Sequence, residues 1–143
     1  MQIQLVDNVL KAEDFVRLRR ETGFADIPVE HAKKALANGL INVSAYCGDK
    51  LIGMGRLVGD GTMYWYLQEI IVLPEYQKKG IGRLLINEIL QFINDHGVEE
   101  TEIFVELCAM PDKIPFYEKF GFRANEAQRL RLFHKVRKGE NDK

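Results

Sequence analysis

Apolar residues recur along this chain with a period that changes from segment to segment. Gln2 to Val6 alternates around Ile3 and Leu5, as a strand does, and Ala12 to Arg20 then places Phe15 and Leu18 at helical spacing with cations opposite. Pro28 suits a first helical turn, Val29, Ala32 and Leu36 share one face, and Gly39 stands where a left-handed C-terminal cap is wanted. A second short helix is therefore predicted. Ile41 to Cys47 and Leu51 to Val58 flank Gly48 and Asp49, and Asp60 with Gly61 precedes Met63 to Leu73. Turn residues between three β-rich runs predict an antiparallel meander. From Gly82 to His96 the pattern changes again: Ile81, Leu85, Ile89 and Phe92 run beside Ile86, Leu90 and Ile93, an apolar arc that must lie against the sheet.

Thr101 to Leu107 reads as a strand, Asp112 to Phe120 as a short helix with Pro115 in its first turn and Gly121 as its stop, and Leu130 to His134 as a last strand. The order is β-α-α-β-β-β-α-β-α-β-β. This is an α/β (α+β) arrangement with a mixed, mostly antiparallel sheet flanked by helices, in which the helix after the long strand crosses over to a parallel neighbour. At 143 residues and 46% hydrophobic content the chain buries one core, so residues 1–137 are expected to form a single domain and 138–143 a frayed polar tail.

Charge narrows the function. Twenty Lys and Arg against 21 Asp and Glu give a net charge of -1, too little positive field for general nucleic-acid or anionic-lipid binding. The cations Arg129, Arg131, Lys135, Arg137 and Lys138 near the C-terminus read as a solvated strand edge. No run approaches 18 apolar residues and no basic leader precedes a long apolar stretch, which disfavours membrane spanning and secretion. Cys47 and Cys108 lack paired spacing and His31, His96 and His134 are dispersed, so no metal is expected and a reducing cytoplasm is the natural setting. Cys108 reads as a small buried hydrophobe.

The most informative segment is IIVLPEYQKKGIGRLL, residues 70 to 85, where a strand ends, a loop carries Gln77, Lys78, Lys79, Gly80, Ile81 and Gly82, and a long helix begins at once. Such a turn points backbone N–H groups inward at the positive end of a helix, and Lys78, Lys79 and Arg83 can reach outlying phosphates. A diphosphate-bearing ligand fits; a plain basic turn before an amphipathic helix is the simpler reading of the same residues. Walker A is absent, since no Gly-Lys-Ser/Thr follows, and the dinucleotide fingerprint fails where Leu85 replaces its third glycine.

QKKGIG after IIVLPEY, with FYEKFGF at 116 to 122 beyond one further strand, resembles the acetyl-CoA-dependent GNAT N-acetyltransferases over nearly the whole chain. The resemblance implies that Gln77, Gly80 and Gly82 hold the pyrophosphate of coenzyme A and that the pantetheine arm runs beside the backbone of Ile70, Ile71 and Val72. It also implies that Tyr117 protonates the departing thiolate, a role that suits a phenol with an ordinary pKa near 10. Helix packing of Phe116, Tyr117 and Phe120 is the alternative. Where several family members carry Glu or His facing the amine, this chain has Tyr66 and Gln68, neither a good base; Glu69 is nearby, but alternation turns it away unless a bulge intervenes. Met110 stands where an Asn often precedes the Tyr.

The resulting expectation is an N-acetyltransferase that moves the acetyl group of acetyl-CoA to a primary amine of a small molecule by direct attack in a ternary complex, with Tyr66 and Gln68 on the acceptor side. A non-catalytic acyl-CoA-binding or sensing module is the alternative. A monomer or homodimer, free of nucleic acid and membrane, completes the expectation; the acceptor is not written in the sequence.

Overall fold

Turn chemistry and alternation produce the meander where the sequence places it. The computed structural model describes residues 1–125 and 130–138. These belong to two compact units, Met1–Cys108 and Ala109–Lys143. In the first, β1 (Ile3–Asp7), α1 (Ala12–Glu21), α2 (Val29–Asn38), β2 (Ile41–Cys47), β3 (Lys50–Gly59), β4 (Tyr64–Val72), α3 (Ile81–His96) and β5 (Phe104–Glu106) follow in order. The strands lie side by side in chain order, antiparallel except for the parallel pair β4–β5, which α3 connects as a crossover. Asp60 fixes the β3–β4 turn by accepting the backbone N–H groups of Thr62, Met63 and Tyr64 at 2.9, 2.8 and 2.9 Å. Those three donors, Tyr64 foremost, hold its carboxyl below the usual carboxylate range.

One face of the sheet is covered by α3, whose Ile81, Leu85, Ile86, Ile89 and Ile93 are all buried. Glycines in β3 let the helix come close: a Cβ on Gly55 would stand 2.7 Å from Ile70 Cδ1 and 3.2 Å from Ile89 Cδ1. Each fully buried aliphatic side chain here is worth about 1.5–3 kcal/mol. On the other face lies α1, whose Phe15 ring is 5.5 Å from the Arg56 guanidinium of β3. Trp65, one of the aromatic residues crowded at the start of β4, is a core residue at 1% exposure, while Met63, Tyr64 and Tyr66 are exposed.

The second unit holds a 3-10 turn, Pro111–Lys113, and α4, Ile114–Glu118, followed by Gly121 at φ 96° as the expected helix stop. Several expectations are corrected. Leu130–His134 is not a strand: Leu130, Leu132 and Phe133 are 91, 81 and 88% exposed, and alternation makes a strand only where a neighbour accepts its backbone groups. The order observed among the described residues therefore stops at α4, without the two closing strands. β5 is three residues long rather than seven. Gly39 ends α2 at φ -79° in an extended rather than left-handed conformation. Cys108 is exposed, not buried. Most of the tail, 139–143, lies outside the described residues.

Candidate active site

Strand β4 changes character halfway along. Its register against β3 runs Leu57↔Leu67 and Arg56↔Gln68, then Met54↔Ile71 and Gly53↔Val72, so Glu69 and Ile70 together oppose the single residue Gly55. This is a β-bulge, and Glu69 occupies it at φ 48°, a left-handed conformation that costs a non-glycine residue about 1–2 kcal/mol. The bulge puts Gln68 and Glu69 on the same face and restores alternation after it. Ile71 then points into the core at 3% exposure. On its other side β4 pairs with β5 only through Tyr64, Trp65 and Tyr66. Beyond Tyr66 that edge, which includes Ile70, Ile71 and Val72, has no strand partner among the described residues.

The open edge leads straight into the glycine turn. Gln77 donates its side-chain Nε2 to the carbonyl of Val72 at 2.9 Å, so the loop is tied back to the strand end and this amide is already engaged. Lys78 at φ 63° and Gly80 at φ 85° both take the left-handed conformation. A Cβ on Gly80 would meet nothing within 4 Å, so glycine is required there for its dihedral freedom rather than for space. Helix α3 starts at Ile81 with Gly80 as cap, no side-chain cap and no acidic residue in its first turn. Among the described residues the N–H groups of Ile81, Gly82 and Arg83 and the positive helix end thus have no side-chain cap or acidic partner, the arrangement that receives phosphate. Ile81 contributes only its backbone, because its side chain is in the core at 1% exposure; Lys78, Lys79 and Arg83 are exposed beside it.

The face carrying Tyr66 and Gln68 holds two carboxylates with opposite fates. The bulge brings Glu69 to this face, but its Oε2 accepts Arg19 Nη1 and its Oε1 accepts Arg56 Nε, each at 2.6 Å. With both oxygens engaged and a side chain 10% exposed, Glu69 is not a free base. Glu106 lies next to Tyr66 in the parallel register, its carboxylate placed to accept a hydrogen bond from the Tyr66 hydroxyl. That bond, and then the charge of Glu106, push the Tyr66 phenol above its ordinary pKa. Glu106 is the functional candidate that sequence reasoning missed. The alternation of Phe104 and Glu106 was readable, but the pairing to a residue 40 positions earlier required the parallel register.

Tyr117 lies in α4 within an aromatic cluster, its ring edge-on to Phe116 at 5.1 Å and to Phe122 at 6.0 Å. Burial pushes its phenol above the ordinary value, keeping it protonated at neutral pH. His96 stacks on Phe92 at 4.0 Å and contacts its carbonyl, an ordinary helix-end role. Among the described residues no group of three or more His, Cys, Asp or Glu is placed to hold a metal ion, and no helix is long and apolar enough to cross a membrane.

A mixed sheet with one parallel pair, an α crossover and a glycine turn at the crossover's start is the architecture of an acetyltransferase domain. It is shared with a GNAT-family acetyltransferase from Streptococcus pneumoniae (28% identity, TM-score 0.79, 94% of this chain and all of that one). A Staphylococcus aureus protein of unknown function is similar as well (32% identity, TM-score 0.82, 94% of this chain and all of that one). The pattern of the acetyltransferase (GNAT) family matches residues 10–122, and the chain belongs to that family. An uncharacterized ycf52-like N-acetyltransferase of Prochlorococcus marinus is 30% identical over 110 residues, 74% of this chain and 59% of that protein. The chain spans about three-fifths of the length of this curated relative.

Proposed function

We propose that the protein is an acyltransferase that moves the acetyl group of acetyl-CoA to the primary amine of a small molecule by direct attack. The observation that carries this reading is the continuity of an unpaired strand edge, from Leu67 to Val72, with the uncapped start of α3. A pantetheine arm offers amide groups to such an edge as an added strand does, and its diphosphate then meets the N–H groups of Ile81, Gly82 and Arg83. Lys78, Lys79 and Arg83 supply charge for the remaining phosphate.

In this reading the acceptor ammonium gives a proton to Glu106, directly or through the Tyr66 hydroxyl, and the neutral nitrogen attacks the thioester carbon. The C–N bond forms as the carbonyl oxygen takes negative charge, which a backbone N–H near Val72 stabilises. Collapse breaks the C–S bond, the thiolate takes a proton from the Tyr117 phenol, and the second proton of the nitrogen restores that phenol through water. Gln68 faces the same side and orients the acceptor. The protein is read as a cytoplasmic monomer or homodimer.

Calorimetry with acetyl-CoA followed by thiol release across an amine panel tests the proposal. Binding with turnover on at least one amine is expected; binding without turnover on any would make the protein an acyl-CoA-binding module, and no binding would remove the cofactor assignment. On the responding amine, Tyr117→Phe should lower kcat by about 10² to 10⁴ with acetyl-CoA affinity nearly unchanged. A twofold effect or less would leave solvent as the proton donor.

A further inference from the structure

Glu69 is costly where it stands. It is a non-glycine residue at φ 48° in the middle of a strand, nearly buried, with two arginines of equally low exposure drawn onto it. The proposed reaction uses none of these three charges. Their connections, however, run in a definite direction. Arg56 comes from β3, opposite Gln68, and its guanidinium lies 5.5 Å from the Phe15 ring of α1. Arg19 comes from α1, and while Nη1 holds Glu69, Nη2 donates to the carbonyl of Ala25 at 3.0 Å, in the loop between α1 and α2. The same guanidinium packs on Phe24 of that loop at 5.2 Å. A single planar fork therefore spans from the bulge of β4 to the loop at residues 22–28, a geometry that lysine, with one point charge, cannot reproduce.

We propose that Glu69, clamped by Arg19 and Arg56, is a positioning residue that locks the β4 bulge and couples the α1–α2 loop to the strand edge at Ile70, Ile71 and Val72. The carboxylate holds the backbone in the left-handed conformation that a side chain at this position would otherwise leave, and so fixes which backbone groups of the next three residues face the open edge. Occupation of that edge is then felt by the loop through Arg19. Coupling of this kind needs one element whose arrangement both sites bias, and the bulge supplies it.

The inference rests on the reading that acetyl-CoA lies along β4, and hydrogen exchange separates the two. In the parent, acetyl-CoA is expected to slow exchange in both 69–73 and 22–28. Arg19→Met and Arg19→Lys should keep the protection of 69–73 and lose that of 22–28, with exchange of the free loop faster by about tenfold or more. Glu69→Gln, which keeps the volume and removes the charge, should speed exchange of both segments in the free protein. Protection of the loop by acetyl-CoA in both Arg19 variants as in the parent would overturn the coupling. If acetyl-CoA protects neither segment of the parent, the cofactor reading fails, and the clamp is judged on the free protein alone: unchanged exchange of both segments in Glu69→Gln overturns it, faster exchange of both supports it. Should Glu69→Gln not fold, Arg56→Met tests the clamp at the strand alone: with one of the two arms removed, exchange of 69–73 in the free protein should quicken, and unchanged exchange there overturns the clamp.

Discussion

The two faces of the sheet are built by different rules. Under α3 the buried side chains are all apolar, with Ile81, Leu85, Ile86, Ile89 and Ile93 on a surface that glycine keeps low. Under α1 the contact contains Phe15, but also two arginines and a glutamate at 14, 15 and 10% side-chain exposure. An apolar face is forgiving of exchange among residues of similar volume, whereas a buried ion cluster punishes the loss of any one member and contributes less to net stability than its short distances suggest. The α3 face thus holds the sheet and helix together and anchors the glycine turn through Ile81, the first residue of the helix. Under the proposed reaction, the geometry near the reacting groups is set on the α1 face.

The largest effect that would break this division is a cavity under α3. Ile89→Ala should cost about 2–5 kcal/mol in chemical denaturation, while the folded fraction keeps the parent's acetyl-CoA affinity. A changed affinity at unchanged stability would mean that the two faces are not separate in function. Next in size is Glu106→Gln, expected to lower kcat by about 10²-fold for an alkylamine and much less for an amine that is already neutral at the assay pH. Equal losses for both amines would assign Glu106 to structure. Replacing Lys78 and Lys79 together by alanine should weaken coenzyme A by about tenfold, with the loss shrinking as salt is added, because exposed cations act on phosphate through a screened field. Binding of phosphate-free pantetheine should not change.

The smallest effect lies at the β3–β4 turn. Asp60 has its pKa lowered in the folded chain by the N–H groups of Tyr64, Thr62 and Met63, so its contribution is present above the unfolded carboxylate pKa and fades as pH falls through the lower folded value. Asp60→Asn should remove that acid-limb component from the pH profile of thermal stability. A profile identical to the parent's in the acid range would show that the three N–H groups are equally well served by water.

The α3 face was legible because helical periodicity over 16 residues admits few alternatives, and the turn before it because glycines at a strand-to-helix junction have a physical meaning of their own. The α1 face was harder. Alternation alone turns Glu69 away from Tyr66 and Gln68 unless a bulge intervenes, and only the register against β3 shows that two residues of β4 do oppose Gly55. Glu106 went unnoticed for a related reason, since its partner Tyr66 is set by a parallel pairing that no local pattern announces. Leu130–His134 shows the reverse error, alternation without a neighbour to pair with.

The bulge at Glu69 has a further consequence for the protein when it is empty. Among the described residues β4 has no strand partner on one side from Leu67 to Val72, and a flat strand so placed would recruit the edge of another molecule and start a stack of sheets. A strand kinked and over-twisted by an extra residue is a poor template for such growth, because an incoming straight strand can match its groups before the kink or after it but not both. The irregularity that, in the proposed reading, shapes the edge for a short flexible ligand therefore also protects the protein from adhesion to copies of itself.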